Sequence, residues 1–227
     1  MSVPHHWPRA FRDFLLPHLR TLDHPKQRTC LPKYIRGLLA PLERKSAQPI
    51  AEYLGVPYQR LHHFLNVGSW EPDTIESQIA QQARALCGGK DAVLIVDDTA
   101  LPKSGSSSVG VAPQYCGAQR RVTNCQALVT LTLADGRVFA PLGMRLFLPQ
   151  VWTEDTGRCA AAGIPVGQRT FASKQHLALV ELDRVRQAGV MFGAVVADAG
   201  YGSSTAFRHG LSARGLRWAV APSSKPS

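Results

Sequence analysis

The sequence predicts an α/β chain in which an amino-terminal helical domain precedes a mixed-sheet domain, and three observations carry that expectation. From about Trp7 to Leu86 apolar residues recur at three- and four-residue spacing, as in Tyr34, Leu38, Leu39 and then Ile50 and Leu54, which is the period of amphipathic helices. From Ala92 the period changes, because VLIV at 93–96 is a short continuous apolar run of the kind shown by a buried strand, and it stops at Asp97 and Asp98. A second run, GAVVAD at 193–198, also stops at an acid, Asp198.

Within the helical part, QPIAEYLGVPYQRLHHFL has the spacing of a helix-turn-helix, with Ala51 where the helices touch and Gly55 at the turn. Ile50, Leu54, Val56, Leu61 and Phe64 fall at core positions, and Pro57 suits the first turn of the second helix. Arg60, His63 and Asn66 then face outward, towards DNA if the unit binds it; an ordinary helical hairpin packing a small bundle has the same spacing. Gly88, Gly89 and Lys90 break the helical period, which sets the domains at 1–88 and 89–221, with a disordered tail at 222–227.

In the second domain the strand at 93–96 leads into a Gly/Ser-rich stretch, SGSSSVGVAP at 104–113. Strands at 126–134 and 137–146 flank the turn Ala134-Asp135-Gly136 and form a hairpin. Residues 149–169 read as irregular or partly helical, 174–188 as a helix, 193–198 as a strand, 204–214 as a short helix and 216–221 as a last strand. Strand with acid, hairpin, helix, strand with acid, helix, strand is the order of an RNase-H-like domain.

Composition narrows the partners. Across 227 residues, 26 Lys+Arg against 16 Asp+Glu give a formal charge of +10, which favours a polyanion such as nucleic acid. Nothing approaches the roughly 18 consecutive apolar residues of a membrane span, and residues 1–12 lack a secretory pattern, so a cytoplasmic location is expected. Cys30, Cys87, Cys116, Cys125 and Cys159 are odd in number and scattered, which argues against a disulfide framework and against a zinc finger. His62 and His63 are adjacent and diverge on a helix, so they do not chelate one metal from one face.

Asp97, Asp98 and Asp198 end runs that a shared sheet would place side by side, and converging carboxylates bind hard cations. Mg²⁺ held in this way and completed by phosphate oxygens suits in-line phosphoryl transfer, whereas solvated loop acids are the plain alternative. Lys103 falls where a lysine can approach a DNA phosphate while the Gly/Ser run lets the backbone come close, a plain exposed loop lysine being the alternative. Gly200-Tyr201-Gly202 lacks the third glycine of a dinucleotide fingerprint and is not read as a nucleotide loop.

The segment VLIVDDTALPKSGSSSVGVAPQYCG followed by NCQALVTL resembles the first catalytic motif of DDE transposases encoded by bacterial insertion sequences. Later words match as well: LFLPQVW at 146–152, AGIP at 162–165, Phe171 with Lys174, and VVADAGYGSSTAFR at 195–208. RGLL at 36–39 and ERKS at 43–46 recur in that family's end-binding helical region, so the resemblance runs over 26–221. It implies metal-dependent DNA strand cleavage and transfer with Mg²⁺ or Mn²⁺, double-stranded DNA (element ends and target) as partner, and a homodimer on that DNA. It makes Asp198 the second metal ligand and either Asp97 or Asp98 the first; Arg60 and His63, from the helix-turn-helix spacing, Lys103, from its place after the first acid, and Arg120 and Arg121 are the residues expected beside DNA. Arg120 and Arg121 fall where the family commonly has Gly then Lys, so Arg120 departs from the pattern.

The family's third acid, a Glu in a later helix, has no counterpart before Ser227, so an incomplete RNase-H-like domain without activity of its own is expected. A DNA-binding module or repressor derived from a transposase is the second reading. An unrelated metal-dependent nuclease is the third; it would need Glu154, Asp155 or Glu181 as a replacement acid.

Overall fold

In the computed structural model, which describes residues 7–68, 70–136 and 138–221, the helical period of the first part becomes α1 (Trp7–Arg20), α2 (Pro25–Leu39), α3 (Ala47–Leu54), α4 (Tyr58–Asn66) and α5 (Pro72–Cys87). Gly55 ends α3 with φ +62°, a left-handed conformation that an L side chain resists, and its N–H closes on the carbonyls of Ala51 and Glu52. Pro57 then caps α4 from just outside the helix. Ile50, Ala51 and Leu61 are buried, with Tyr34, Leu38, Leu54 and Val56 packed around them, so the expected core positions do meet. Gly37 lets α2 approach α3 closely: a Cβ there would lie 2.2 Å from Cγ2 of Ile50.

The chain divides into two compact units at Gln78 and Ile79, inside α5, rather than at the glycines after it. The physical reason lies in the second half of α5, where Ala80, Ala83 and Cys87 are buried in the core of the sheet unit.

That unit is built on β1 (Val93–Pro102), β2 (Ala112–Cys116), β3 (Arg121–Asp135), β4 (Val138–Leu146), β5 (Ala194–Ala197) and β6 (Trp218–Val220). The sheet order is β2-β3-β1-β5-β6, with β4 also paired to β3. β1 runs antiparallel to β3 and parallel to β5, and β5 parallel to β6, as an RNase-H-like order requires. The helices α8 (Lys174–Gln187) and α10 (Thr205–Ala213) bury Ala178, Leu182, Val185, Phe207 and Leu211 against Leu94, Val96, Leu131 and Leu133. Alternation along β3, with Cys125, Ala127, Val129, Leu131 and Leu133 buried, is the period-two signature of that face.

Three details differ from the expectation. β1 does not stop at the acids but continues to Pro102, because β3 offers it partners as far as Cys125. β2 starts at the end of the stretch read as Gly/Ser loop and runs on to Cys116, and pairing with it starts β3 at Arg121. Residues 199–202 form a single turn, α9 (Ala199–Gly202). In the irregular segment, α6 (Gln150–Thr153) and α7 (Thr156–Ala161) enclose a small core of Val111, Trp152, Cys159 and Ile164, and the Trp152 indole N–H donates to the carbonyl of Val111 at 2.8 Å.

All five cysteines are free and buried, and burial pushes the thiols of Cys87 and Cys125 up. Among the described residues no helix is long and apolar enough to cross a membrane. The tail expected to be disordered, 222–227, lies outside the described residues.

Candidate functional site

Asp98 lies opposite Val129 of β3, and strand alternation puts it on the face of Leu94 and Val96 while Asp97 takes the other face. The parallel pairing of β1 with β5 ends at Val96 and Ala197. The next residues are Asp97, Asp98 and Asp198, so the acids follow directly on the last parallel pair, while β1 itself runs on to Pro102 against β3.

Asp198 is the N-cap of α9, and its Oδ1 accepts from the backbone N–H of Tyr201 at 3.1 Å. That turn drives Tyr201 inward to 2% exposure, and its hydroxyl donates to Oδ1 of Asp98 at 2.5 Å. One tyrosine therefore joins two carboxylates that are remote in sequence. Oδ2 of Asp98 accepts from Nζ of Lys174, the first residue of α8, at 2.6 Å. Asp97 is exposed, and its Oδ1 accepts from the N–H of Asp98 at 2.7 Å.

Burial pushes the Tyr201 hydroxyl far above the ordinary tyrosine range, and the hydrogen bond to Asp98 and the charges of Asp98, Asp198 and Asp97 push it the same way. It stays a proton donor at any physiological pH. Gly202 lets α9 pack on β6, since a Cβ there would lie 2.7 Å from the carbonyl of Ala221, so the Gly-x-Gly word serves packing.

Carboxylate oxygens are the donors that Mg²⁺ and Mn²⁺ take. Among the described residues no three His, Cys, Asp or Glu side chains are grouped to hold a metal. What the site offers is the carboxylates of Asp98 and Asp198 bridged by Tyr201, donors of the class that a hard ion takes one or two of, with water and phosphate completing its shell. Glu154, Asp155 and Glu181 do not complete such a group. Glu154 accepts from Gln150, Asp155 caps α7 through the N–H of Arg158, and Glu181 is buried between Arg145 and Arg184.

Arg60 and His63 line a groove of about 920 Å³ within the helical unit, together with Gln59 of the same helix and His24, Lys26 and Lys33 from the α2 region. The backbone of Lys103 is pinned by Asn124, whose carbonyl accepts its N–H at 2.9 Å and whose Nδ2 donates to its carbonyl at 3.1 Å. Arg120 and Arg121 sit at the β2–β3 turn, and at strand rise the path along β3 from Arg121 to Val129 is roughly 27 Å. They are not brought to the aspartates.

Arg120 has φ +51°, alone among the described non-glycine residues in taking a positive value. A left-handed turn explains why Gly suits this position. Arg120→Gly is expected to stabilise the chain by up to about 1 kcal/mol, relief of strain being partly offset by the greater freedom of the unfolded chain. Urea midpoints of the two proteins check this.

Tyr201 and Lys174 were not assigned a role from the sequence. The only signal for either was its place in a matched word, since their contacts with Asp98 span large sequence distances.

Residues 16–226 match the family model described as DDE superfamily endonuclease. A probable transposase for insertion sequence element IS701 from Microchaete diplosiphon is 26% identical over 174 residues, which is 76% of this chain and 43% of that protein. The chain thus spans under half the length of that curated relative. Two solved structures of the Mos1 transposase, a paired-end complex with the left transposon end and a mariner paired-end complex with Mg, share 14% and 15% identity with it. They cover 83% and 88% of this chain and 57% and 59% of theirs, each at a TM-score of 0.28, too loose a likeness to carry fold or function.

Proposed function

The chain belongs to the DDE superfamily endonuclease family, and from that membership we propose that it acts as part of an insertion-sequence transposase, in metal-dependent cleavage and transfer of DNA strands. The observation that supports this best is the joining of Asp98 to Asp198 through Tyr201 just past the last parallel pair of β1 and β5. In this reading Asp98 is the first metal ligand and Asp198 the second, while Asp97 takes the opposite face of β1. A bound Mg²⁺ or Mn²⁺ supplies Lewis-acid polarisation of a phosphate oxygen and a more acidic water or 3′-hydroxyl. Tyr201 fixes the relative placement of the two carboxylates and keeps its own proton. Lys103, on a backbone pinned by Asn124, meets a phosphate beside the scissile one. Arg60 and His63 bind the element end from the groove of the helical unit, and Arg120 and Arg121 hold DNA away from the cleavage point. Two copies act together on DNA in the cytoplasm.

The binding half of this proposal is tested by fluorescence anisotropy with duplex DNA. Affinity is expected to fall by orders of magnitude between about 50 and 200 mM salt, as when several phosphates are contacted. Arg60→Ala should weaken binding and lower the salt slope by about one. Binding indifferent to salt, or unaffected by Arg60→Ala, would overturn it.

A second reading, a DNA-binding module or repressor, is favoured by the lack of a third carboxylate grouped with the aspartates among the described residues. With two carboxylates to place the ions, the 227-residue chain is expected to bind DNA and show no strand transfer in Mg²⁺ or Mn²⁺. Metal-dependent cleavage abolished by Asp198→Ala would instead favour the enzyme over the module.

A further inference from the structure

We propose that Lys174 is a resident counter-cation that occupies Asp98 in the metal-free chain and has to leave that carboxylate before a divalent ion binds. The inference rests on the reading of Asp98 as a metal ligand and assigns to a neighbouring residue a role in controlling it.

Both oxygens of Asp98 are engaged by protein donors, Oδ1 by the Tyr201 hydroxyl at 2.5 Å and Oδ2 by the Lys174 ammonium at 2.6 Å. The two donors differ in kind. Tyr201 is buried and neutral, so it orients the carboxylate without competing for its charge. Lys174 brings a full positive charge to the oxygen that an incoming ion would need at roughly 2.1 Å. Two cations on one oxygen repel each other, and in this partly screened setting, with the Lys174 and Asp98 side chains 26% and 30% exposed, the repulsion is still felt.

The position of Lys174 on its helix is independent support. It is the first residue of α8, after the Ser173 N-cap, and α8 has no acid in its first turn. A cation at a helix N-terminus opposes the macrodipole. Helix stability therefore does not favour a lysine here, whereas contact with Asp98 does. The Phe147 ring lies 5.4 Å from Nζ and is itself packed edge-on against Phe171, so an aromatic wall flanks the ammonium. A flexible four-carbon stem lets that ammonium swing away while the backbone stays capped. Lys174 is thus a positioning residue: it keeps Asp98 aimed while the site lacks metal and hands it over to the ion.

The test is a titration with Mn²⁺ alone, read by electron paramagnetic resonance of the free ion, on the 227-residue chain and its Lys174→Met, Lys174→Arg and Asp198→Asn variants. Thermal melts without metal are run alongside. Lys174→Met is expected to bind Mn²⁺ about tenfold more tightly than the parent, while melting lower without metal. Lys174→Arg, which keeps the charge, is expected to stay near the parent affinity. Should the Met variant fail to fold, Lys174→Gln replaces it with the same expectation. If the Met or Gln variant binds Mn²⁺ equally or more weakly while Asp198→Asn still weakens binding strongly, the counter-cation role is overturned and the metal site stands. If neither the parent nor the Lys174 variants bind Mn²⁺, or Asp198→Asn changes nothing, the metal reading falls and takes this inference with it.

Discussion

Replacing Glu181 by Ala is expected to destabilise the sheet unit by about 3 kcal/mol, the largest loss anticipated from a single side chain outside the apolar core. Glu181 is 1% exposed on α8, and its carboxylate meets Nε of Arg145 at 2.8 Å and Nε of Arg184 at 2.7 Å. The guanidinium of Arg184 also donates to the carbonyl of Leu142 at 2.7 Å. That carbonyl is available because the β3–β4 register shifts between Leu131 and Thr132, which pair with Gly143 and Pro141 and leave Leu142 as the extra residue of a bulge. Gly143 completes the arrangement, since a Cβ there would lie 2.1 Å from Oε1 of Glu181.

Removing the carboxylate leaves two guanidinium groups crowded in a partly desolvated position. Their partial exposure, 32% for Arg145 and 26% for Arg184, places the cost at the low end of the range for a broken buried pair. In a chain of this size the melting temperature should fall by about 6–12 °C. Urea unfolding followed by circular dichroism checks the effect, and a loss below about 1 kcal/mol would show that the cluster is solvated and dispensable.

The second large effect concerns the candidate metal site. Asp198→Asn is expected to weaken Mn²⁺ binding by at least about a hundredfold, since losing even an outer-shell partner of a bound metal costs up to about that much. Asparagine is as good an N-cap as aspartate, so the turn of α9 and the hydrogen bond to the Tyr201 N–H survive while the charge is lost. The variant thereby separates ligation from folding. Asp98→Asn is expected to weaken binding to a similar degree but also to loosen the chain, because it gives up the ion pair with Lys174. Titration with Mn²⁺, with an unchanged melting temperature for metal-free Asp198→Asn as control, measures both.

The helical unit and the order of the main elements along the chain were legible in the sequence because they rest on local periodicity. Ile50 and Leu54 follow the helical period, with Val56 in the turn and Leu61 on the next helix, and the apolar runs at 93–96 and 193–197 mark central strands. β2 was not legible. Pro113 falls inside it and a Gly/Ser stretch precedes it, and only pairing to β3, a tertiary contact, makes it a strand. The run of β1 beyond Asp98 has the same cause.

At the site, the three aspartates were visible as acids closing apolar runs, whereas their partners were not. Nothing in the spacing of Lys174 or Tyr201 announces contacts with Asp98 that the fold alone creates. Glu181 shows the converse limit. A glutamate on a helix looks alike in sequence whether it faces solvent, a metal or two arginines, and only the packing of α8 on β4 decides among them.

Iron-directed backbone cleavage locates a divalent site without requiring activity or DNA. With Fe²⁺ bound and ascorbate and peroxide added, hydroxyl radicals cut the chain near the ion, and mass spectrometry reads the cut positions. The expected result is a paired set of cuts around Asp97–Asp98 and around Asp198–Tyr201, suppressed by excess Mg²⁺ and by Asp198→Asn. Cuts confined to one of these stretches, or placed elsewhere and indifferent to Asp198→Asn, would contradict a metal site shared by β1 and β5.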